Sequence, residues 1–301
     1  MAQREFLPGF ERFDLTSEPG VHIHGAKAGS GPAVLLLHGH PQTHCTWAVV
    51  APLLVRAGYC VVATDLRGYG DSSRPQGGEN HENYSKRTMA RDQVNVMRAL
   101  GHARFAVIGH DRGGRVAHRL ALDYPDALTH IAVLDIAPTA TMYAQTNRAF
   151  ATRYFWWFFL IQPAPLPERL IGQDPEFFLR SHLASQSRTV GVPSEPLVQE
   201  YLRCYRKPGT IHAVCEDYRA AAGIDLEHDA ADAQRRIEAP LLALWGSKGT
   251  VGQLYDVLAT WREKAIQAEG QAMDCGHSPQ EEAPEPCAAA LLEFLGRHPS
   301  P

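Results

Sequence analysis

FAVIGHDRGG, residues 105–114, reads as a buried strand that ends in a glycine-flanked turn and passes straight into a helix. The apolar run 105–109 has no polar face, as expected of a strand covered on both sides. Gly109, Gly113 and Gly114 then surround His110, Asp111 and Arg112. Glycines on either side of one polar residue permit a sharp turn that lifts the central side chain off the sheet. Asp111 is that central residue. An Asp ahead of a helix is ordinarily a cap, but the strand before it and the glycines around it favour a reactive carboxylate. Such a group is ionised at neutral pH, needs no base, and can displace a leaving group from saturated carbon. A serine there would suit attack on a carbonyl instead.

The pattern continues on both sides of this turn. AVLLL at 33–37 is another buried strand, ending in His38-Gly39-His40-Pro41. A strand at 59–64 leads into the loop DLRGYGDS, and an amphipathic helix over 84–100 is stopped by Gly101. After the turn a helix runs to about Tyr124, and a strand at 131–134 ends at Asp135. From 139 to 229 strands disappear, and aromatics, prolines and helical stretches take over. LLALW at 241–245 restores the strand pattern, followed by a helix near 254–264. A strand at 268–273 is placed mainly by the alternation, a last helix spans about 285–295, and the tail 298–301 is expected to be loose. This predicts an α/β-hydrolase fold: a mostly parallel eight-stranded sheet flanked by helices, with a helical cap inserted after the sixth strand. The core domain would be 1–138 with 230–301, and the cap 139–229.

Bulk properties narrow the function. The chain has 301 residues, 45% hydrophobic and 21% charged, with a formal net charge of -4. A general nucleic-acid binder would be basic, so no nucleic-acid partner is expected, whereas a local arginine cluster could still attract a small anion. The six cysteines form no C-x-x-C pair and read as reduced thiols in a cytoplasmic protein. No basic-then-apolar leader opens the chain, so secretion is not expected. No apolar run approaches the ~20 residues of a membrane span. There is no H-E-x-x-H, no clustered Cys-His set and no phosphate loop, so neither a metal nor an organic cofactor is expected.

A base and its partner complete the chemistry. His277, in Asp274-Cys275-Gly276-His277, follows the last strand, where this fold carries its histidine. Neutral imidazole can activate water near neutral pH. Many such hydrolases place the orienting acid in a W-G-x-x-D segment. Here that segment is Trp245-Gly246-Ser247-Lys248-Gly249, so Asp135, at the end of the preceding core strand, is assigned to orient His277. The backbone N–H groups of His40 and Arg112 are expected to form the oxyanion hole.

The segment HDRGGR at 110–115 resembles the nucleophile motif of haloacetate dehalogenases, including fluoroacetate dehalogenases. The resemblance extends over nearly the whole chain, through HGHPQT at 38–43, DLRGYGDS at 65–72, YFWWFF at 154–159, EDYRA at 216–220 and GHSPQEEAP at 276–284. It implies that Arg112 and Arg115 clamp the carboxylate of a small anionic haloacid, as two guanidinium groups one helical turn apart can. It further implies that Trp157 and Tyr218 receive the halide, and that the enzyme is a homodimer. Two positions depart from the pattern. Trp156 stands where relatives carry His, and His40 where they often carry Phe. Fluoride is small and strongly hydrated, so Trp156 predicts weak defluorination and a lean towards chloro- or bromoacetate, with the second indole as a bulky extra donor. An epoxide hydrolase would use the same Asp111, His277 and Asp135, with two of Tyr143, Tyr154 and Tyr218 as acids. The arginine pair argues against it. A non-catalytic receptor on the same scaffold would not need the intact nucleophile, base and acid.

Overall fold

The apolar runs become neighbouring strands. In the computed structural model, which describes residues 5–297, these are β1 (Glu11–Glu18), β2 (Val21–Ala28), β3 (Ala33–Leu37), β4 (Cys60–Thr64), β5 (Phe105–His110), β6 (Leu128–Leu134), β7 (Leu241–Gly246) and β8 (Ala268–Met273). They form one sheet in the order β1-β2-β4-β3-β5-β6-β7-β8. β1 to β2 and β2 to β4 are antiparallel, and the remaining pairs are parallel. Side chains alternate between faces along each strand. Leu35, Leu37, Val62 and Val107 therefore belong to one apolar core, and Val34, Leu36, Val61 and Ile108 to another across the sheet. The first core is covered by α2 (Lys86–Ala99) and α3 (Asp111–Asp123), and the second by α1 (Val50–Arg56) and the C-terminal helix Pro284–Arg297.

Between β6 and β7 lie eight helices: α4 (Thr139–Ala144), α5 (Arg148–Arg153), α6 (Trp156–Phe159), α7 (Leu166–Gln173), α8 (Pro175–Gln186), α9 (Glu195–Tyr205), α10 (Thr210–Ala222) and α11 (Ile224–Ala231). This is the cap, inserted after the sixth strand as expected. Polar ties hold it to the core. Tyr201 Oη on α9 donates to Glu281 Oε1 at 2.5 Å, Arg188 N after α8 donates to Glu282 Oε2 at 2.8 Å, and Lys86 N at the start of α2 donates to Asp225 Oδ1 at 2.8 Å.

Two details differ from the sequence reading. The single helix expected near 254–264 is two short ones, α12 (Thr250–Leu254) and α13 (Val257–Arg262), separated at Tyr255 and Asp256. Asp256 Oδ1 accepts from Ala259 N at 3.1 Å and caps the second. The sequence reading places neither β1 nor β2: β1 has no apolar run to read, because ERFDLTSE is polar and largely solvent-facing, and β2 shows only a short alternation in which buried Val21 and Ile23 are separated by His22. The tail 298–301 lies outside the described residues.

Glycine is required where α3 meets β3. A Cβ on Gly113 would lie 2.5 Å from Leu37 O and 2.6 Å from His38 O, both backbone atoms that cannot swing aside. Helix propensity favours Ala over Gly by about 1 kcal/mol, but the clash opposes it. Gly113→Ala should therefore lower stability by ~1–3 kcal/mol in urea denaturation. A stabilised variant would contradict the tight packing of α3 on β3.

Candidate active site

The turn after β5 holds Asp111 at φ +43°, in the left-handed region that a non-glycine residue enters only at a cost of about 1–3 kcal/mol. Neighbouring glycines make room for it. A Cβ on Gly39 would fall 2.6 Å from Asp111 Cβ, and one on Gly109 would fall 2.4 Å from Gly113 O. The resulting pose brings Asp111 Oδ2 to 3.0 Å from His40 N, which donates to it. One of the two expected oxyanion donors therefore already faces the carboxylate. Asp111 is buried. Burial alone would raise its pKa, but His277, Arg112 and Arg115 outweigh burial and hold the carboxyl well below its usual range. The nucleophile is ionised throughout the neutral range.

His277 and Asp135 meet as the sequence predicts: Nδ1 lies 2.6 Å from Asp135 Oδ2. Asp135 Oδ1 accepts from Gly246 N at 2.9 Å, and Asp135 itself is held at φ +49°. Burial would lower the His277 pKa, but the hydrogen bond and charge of Asp135, with Asp111, raise it above the usual imidazole value. The choice of Asp135 has a geometric basis. A Cβ on Gly249 would sit 3.3 Å from both Asp135 carboxylate oxygens. The glycine that replaces the acid of W-G-x-x-D thus stands beside the Asp135 carboxylate, and a carboxylate from either position would occupy nearly the same space. His110 steadies the loop from below, with Nε2 2.8 Å from His277 O and Nδ1 2.9 Å from Gln42 Oε1.

Both arginines lie beside the nucleophile, but they are held differently. Arg112 is engaged by Asp217 on α10: Nε donates to Oδ2 at 2.8 Å, and Nη2 to Oδ1 at 2.8 Å. Only Nη1 has no partner. The bidentate face expected for substrate is thus already taken by the protein. Asp217 also pairs with Lys86 and accepts from Tyr69 Oη at 2.7 Å, so one buried carboxylate joins core and cap. Arg115 has no carboxylate partner among the described residues. Its Nη1 donates to Thr139 Oγ1 at 2.8 Å, and its Nε is buried without a partner. Burial and the neighbouring Arg112 both lower its pKa. An anion arriving here would relieve both effects.

Aromatic rings close the pocket. The guanidinium carbon of Arg112 lies 4.1 Å above the Tyr218 ring, and that of Arg115 lies 4.6 Å above Trp157. Trp156 is also buried, with its ring centroid 4.5 Å from that of His182 and 4.9 Å from that of Tyr154. All the sequence-nominated side chains are thus gathered around Asp111. Asp217 and His182 were missed. Asp217 sits inside the EDYRA segment and could have been singled out as a buried acid beside Tyr218. His182 carries no local signal. Groups that could ligate a metal are His24, His44 and Asp65, and Asp71, Glu200 and Cys204. Neither contains the nucleophile or its base, and Asp65 and Asp71 already pair with His44 and Arg203.

This arrangement of sheet, turn and cap defines an α/β hydrolase, and the chain belongs to the α/β-hydrolase fold family, which matches residues 32–284. Within it, the chain is 44% identical over 288 residues to a fluoroacetate dehalogenase of Burkholderia, covering 95% of this chain and 94% of that one. A soluble epoxide hydrolase of Corynebacterium is 33% identical, covering 92% and 94%. A crystal structure from Salmonella enterica, provisionally named an acyltransferase, is 57% identical, with a TM-score of 0.97 and 98% of each chain covered.

Two outcomes follow from this geometry. Replacing Asp217 by Asn leaves Arg112 and Lys86 buried without their shared anion, so urea denaturation should show a loss of ~3–5 kcal/mol. A neutral effect would mean that the pair is solvated. His277 must be unprotonated to act as a base, so turnover should rise with pH through a pKa above about 6.5. In Asp135→Asn that limb should move to lower pH and turnover fall by on the order of 10²-fold or more. An unmoved limb would remove Asp135 from the His277 partnership.

Proposed function

We propose that this chain is a hydrolytic dehalogenase of short 2-haloacids such as haloacetates. The observation that carries this reading is the pair of buried arginines beside Asp111, each with one nitrogen left without a partner among the described residues: Nη1 of Arg112 and Nε of Arg115. A carboxylate bound there would hold the neighbouring carbon against Asp111. An Asp111 oxygen attacks that carbon, and the halide leaves with the bonding electron pair, giving an ester. Trp157 and Tyr218, with Trp156 beside them, line the halide end of the pocket. His277 then takes a proton from water, and the hydroxide adds to the Asp111 carbonyl carbon. The oxyanion is held by the N–H groups of His40 and Arg112. Collapse releases the 2-hydroxy acid, glycolate from a haloacetate, and restores Asp111.

An epoxide hydrolase is the second reading. It is favoured by Tyr143, whose buried hydroxyl has no partner and whose ring lies 5.0 Å from Trp157, in a position to protonate an epoxide oxygen. A neutral epoxide makes no use of the arginines, which leaves it second. Acyl transfer at this turn uses a hydroxyl or thiol nucleophile, and position 111 carries neither.

The proposal extends to three further features. For the division into a core of 1–138 with 230–301 and a cap of 139–229, the start of the first inserted helix at Thr139 supports the first boundary, whereas the last inserted helix runs on to Ala231. A cytoplasmic location is supported by six free cysteines. A homodimer rests on the family resemblance. No described helix is long and apolar enough to cross a membrane.

Purified protein given chloroacetate should release chloride and glycolate, and Asp111→Asn, still folded, should lose at least about 10³-fold in rate. Arg115→Met should erase most of the preference for chloroacetate over the neutral chloroacetamide. Turnover of epoxides without halide release from any haloacid would favour the second reading.

A further inference from the structure

At position 156 this chain has an indole where the resemblance to haloacetate dehalogenases implies an imidazole, and two other imidazoles converge on the same part of the pocket. His40 follows β3 and His182 belongs to α8. Their ring centroids are 4.6 Å apart, edge to face. His182 lies 4.5 Å from Trp156, and His40 lies 5.7 Å from Tyr218. The rings therefore run without a break from Trp156 through His182 and His40 to Tyr218. These end members are two of the three side chains assigned to the halide.

Both imidazoles are buried, and burial is the main cause that lowers their pKa values, that of His40 to about 3. Each is therefore neutral and carries one N–H. Neither ring nitrogen of His40 has a hydrogen-bond partner. His182 Nε2 lies 2.8 Å from Gln186 Nε2, which donates to it, so the His182 proton is on Nδ1. The His40 backbone lies beside the His182 ring, and Nδ1 has no partner in hydrogen-bond geometry among the described residues. Polar atoms buried in this way cost free energy unless a bound group receives them. The substrate carboxylate is drawn to the arginines, whose charge exceeds anything a neutral imidazole offers. Within a bound haloacid, the acceptor that remains for the imidazoles is the leaving group.

We propose that His40 and His182 form an imidazole wall that hydrogen-bonds the departing halide, supplying from the β3 loop and α8 the imidazole that position 156 lacks. This rests on the dehalogenase reading. His40 then serves twice: its backbone N–H faces the Asp111 carboxylate, and its ring lies near Tyr218 at the end of the pocket assigned to the halide. No proton is transferred, and the halide departs as an anion with the bonding pair. Fluoride, which gains most from hydrogen bonding, depends on the wall more than bromide does. Fluoroacetate is therefore a substrate despite Trp156.

The test is kcat/KM for fluoroacetate and bromoacetate in the wild-type enzyme and in His40→Phe, His182→Phe and His182→Gln, with melting temperatures as a check on folding. Loss of a hydrogen bond to a charged leaving group should lower the fluoride-to-bromide ratio roughly tenfold or more in each Phe variant. His182→Gln, which keeps a donor, should retain much of the ratio. Leu replacements serve if a Phe variant does not fold. Equal losses for both halides, an unchanged ratio, or a wild-type enzyme that releases bromide but no fluoride would each overturn the wall while leaving the dehalogenase reading intact. A folded wild-type enzyme that releases no halide from any haloacetate would overturn both.

Discussion

The carboxylate of Asp111 is buried and yet must stay ionised, and most of the site can be traced to that demand. Burial disfavours the charged form, while the left-handed turn at φ +43° fixes where the charge must sit. Three cationic or potentially cationic groups, His277, Arg112 and Arg115, offset the burial. Gly39, Gly109 and Gly113 supply the space, because a Cβ at any of them would collide with the turn or with what packs beneath it. The Asp111 carboxylate, the His40 N–H that faces it and the packing of α3 on the sheet are thus one geometric problem.

Satisfying that demand creates another. Two guanidinium groups buried side by side repel each other, and only one of them has a carboxylate partner. Asp217 takes Arg112 and Lys86 together and anchors α10 of the cap to the core. Arg115 is left with neutral partners and the face of Trp157. Arg115 is therefore offset by the charge of Asp111 and by no hydrogen-bonded carboxylate among the described residues. The contacts that tie the cap to the core thus also fix how each guanidinium is held.

The parts legible in the sequence are those with local signals. A strand, two spaced glycines and an Asp announce the turn around Asp111, and the alternation of apolar runs places β3 to β8. His277 follows from its place after the last strand, and Asp135 from the missing acid at Gly249. What the sequence hid arrives through space. Asp217 is 105 residues from Arg112, and its pairing takes away the bidentate face that the motif alone would assign to substrate. His182 is 142 residues from His40, and nothing in RSHLAS at 180–185 marks it as a pocket residue. β1 is an edge strand held by its pairing with β2, which a polar, half-exposed strand does not advertise.

The central claim is that Asp111 forms a covalent ester with its substrate. The most direct measurement is the intact mass of His277→Gln after incubation with chloroacetate, followed by peptide mapping. With the base removed, the ester should persist, adding one carboxymethyl group to the peptide that contains Asp111. Continued chloride release with no adduct, or an adduct on a different residue, would contradict the account.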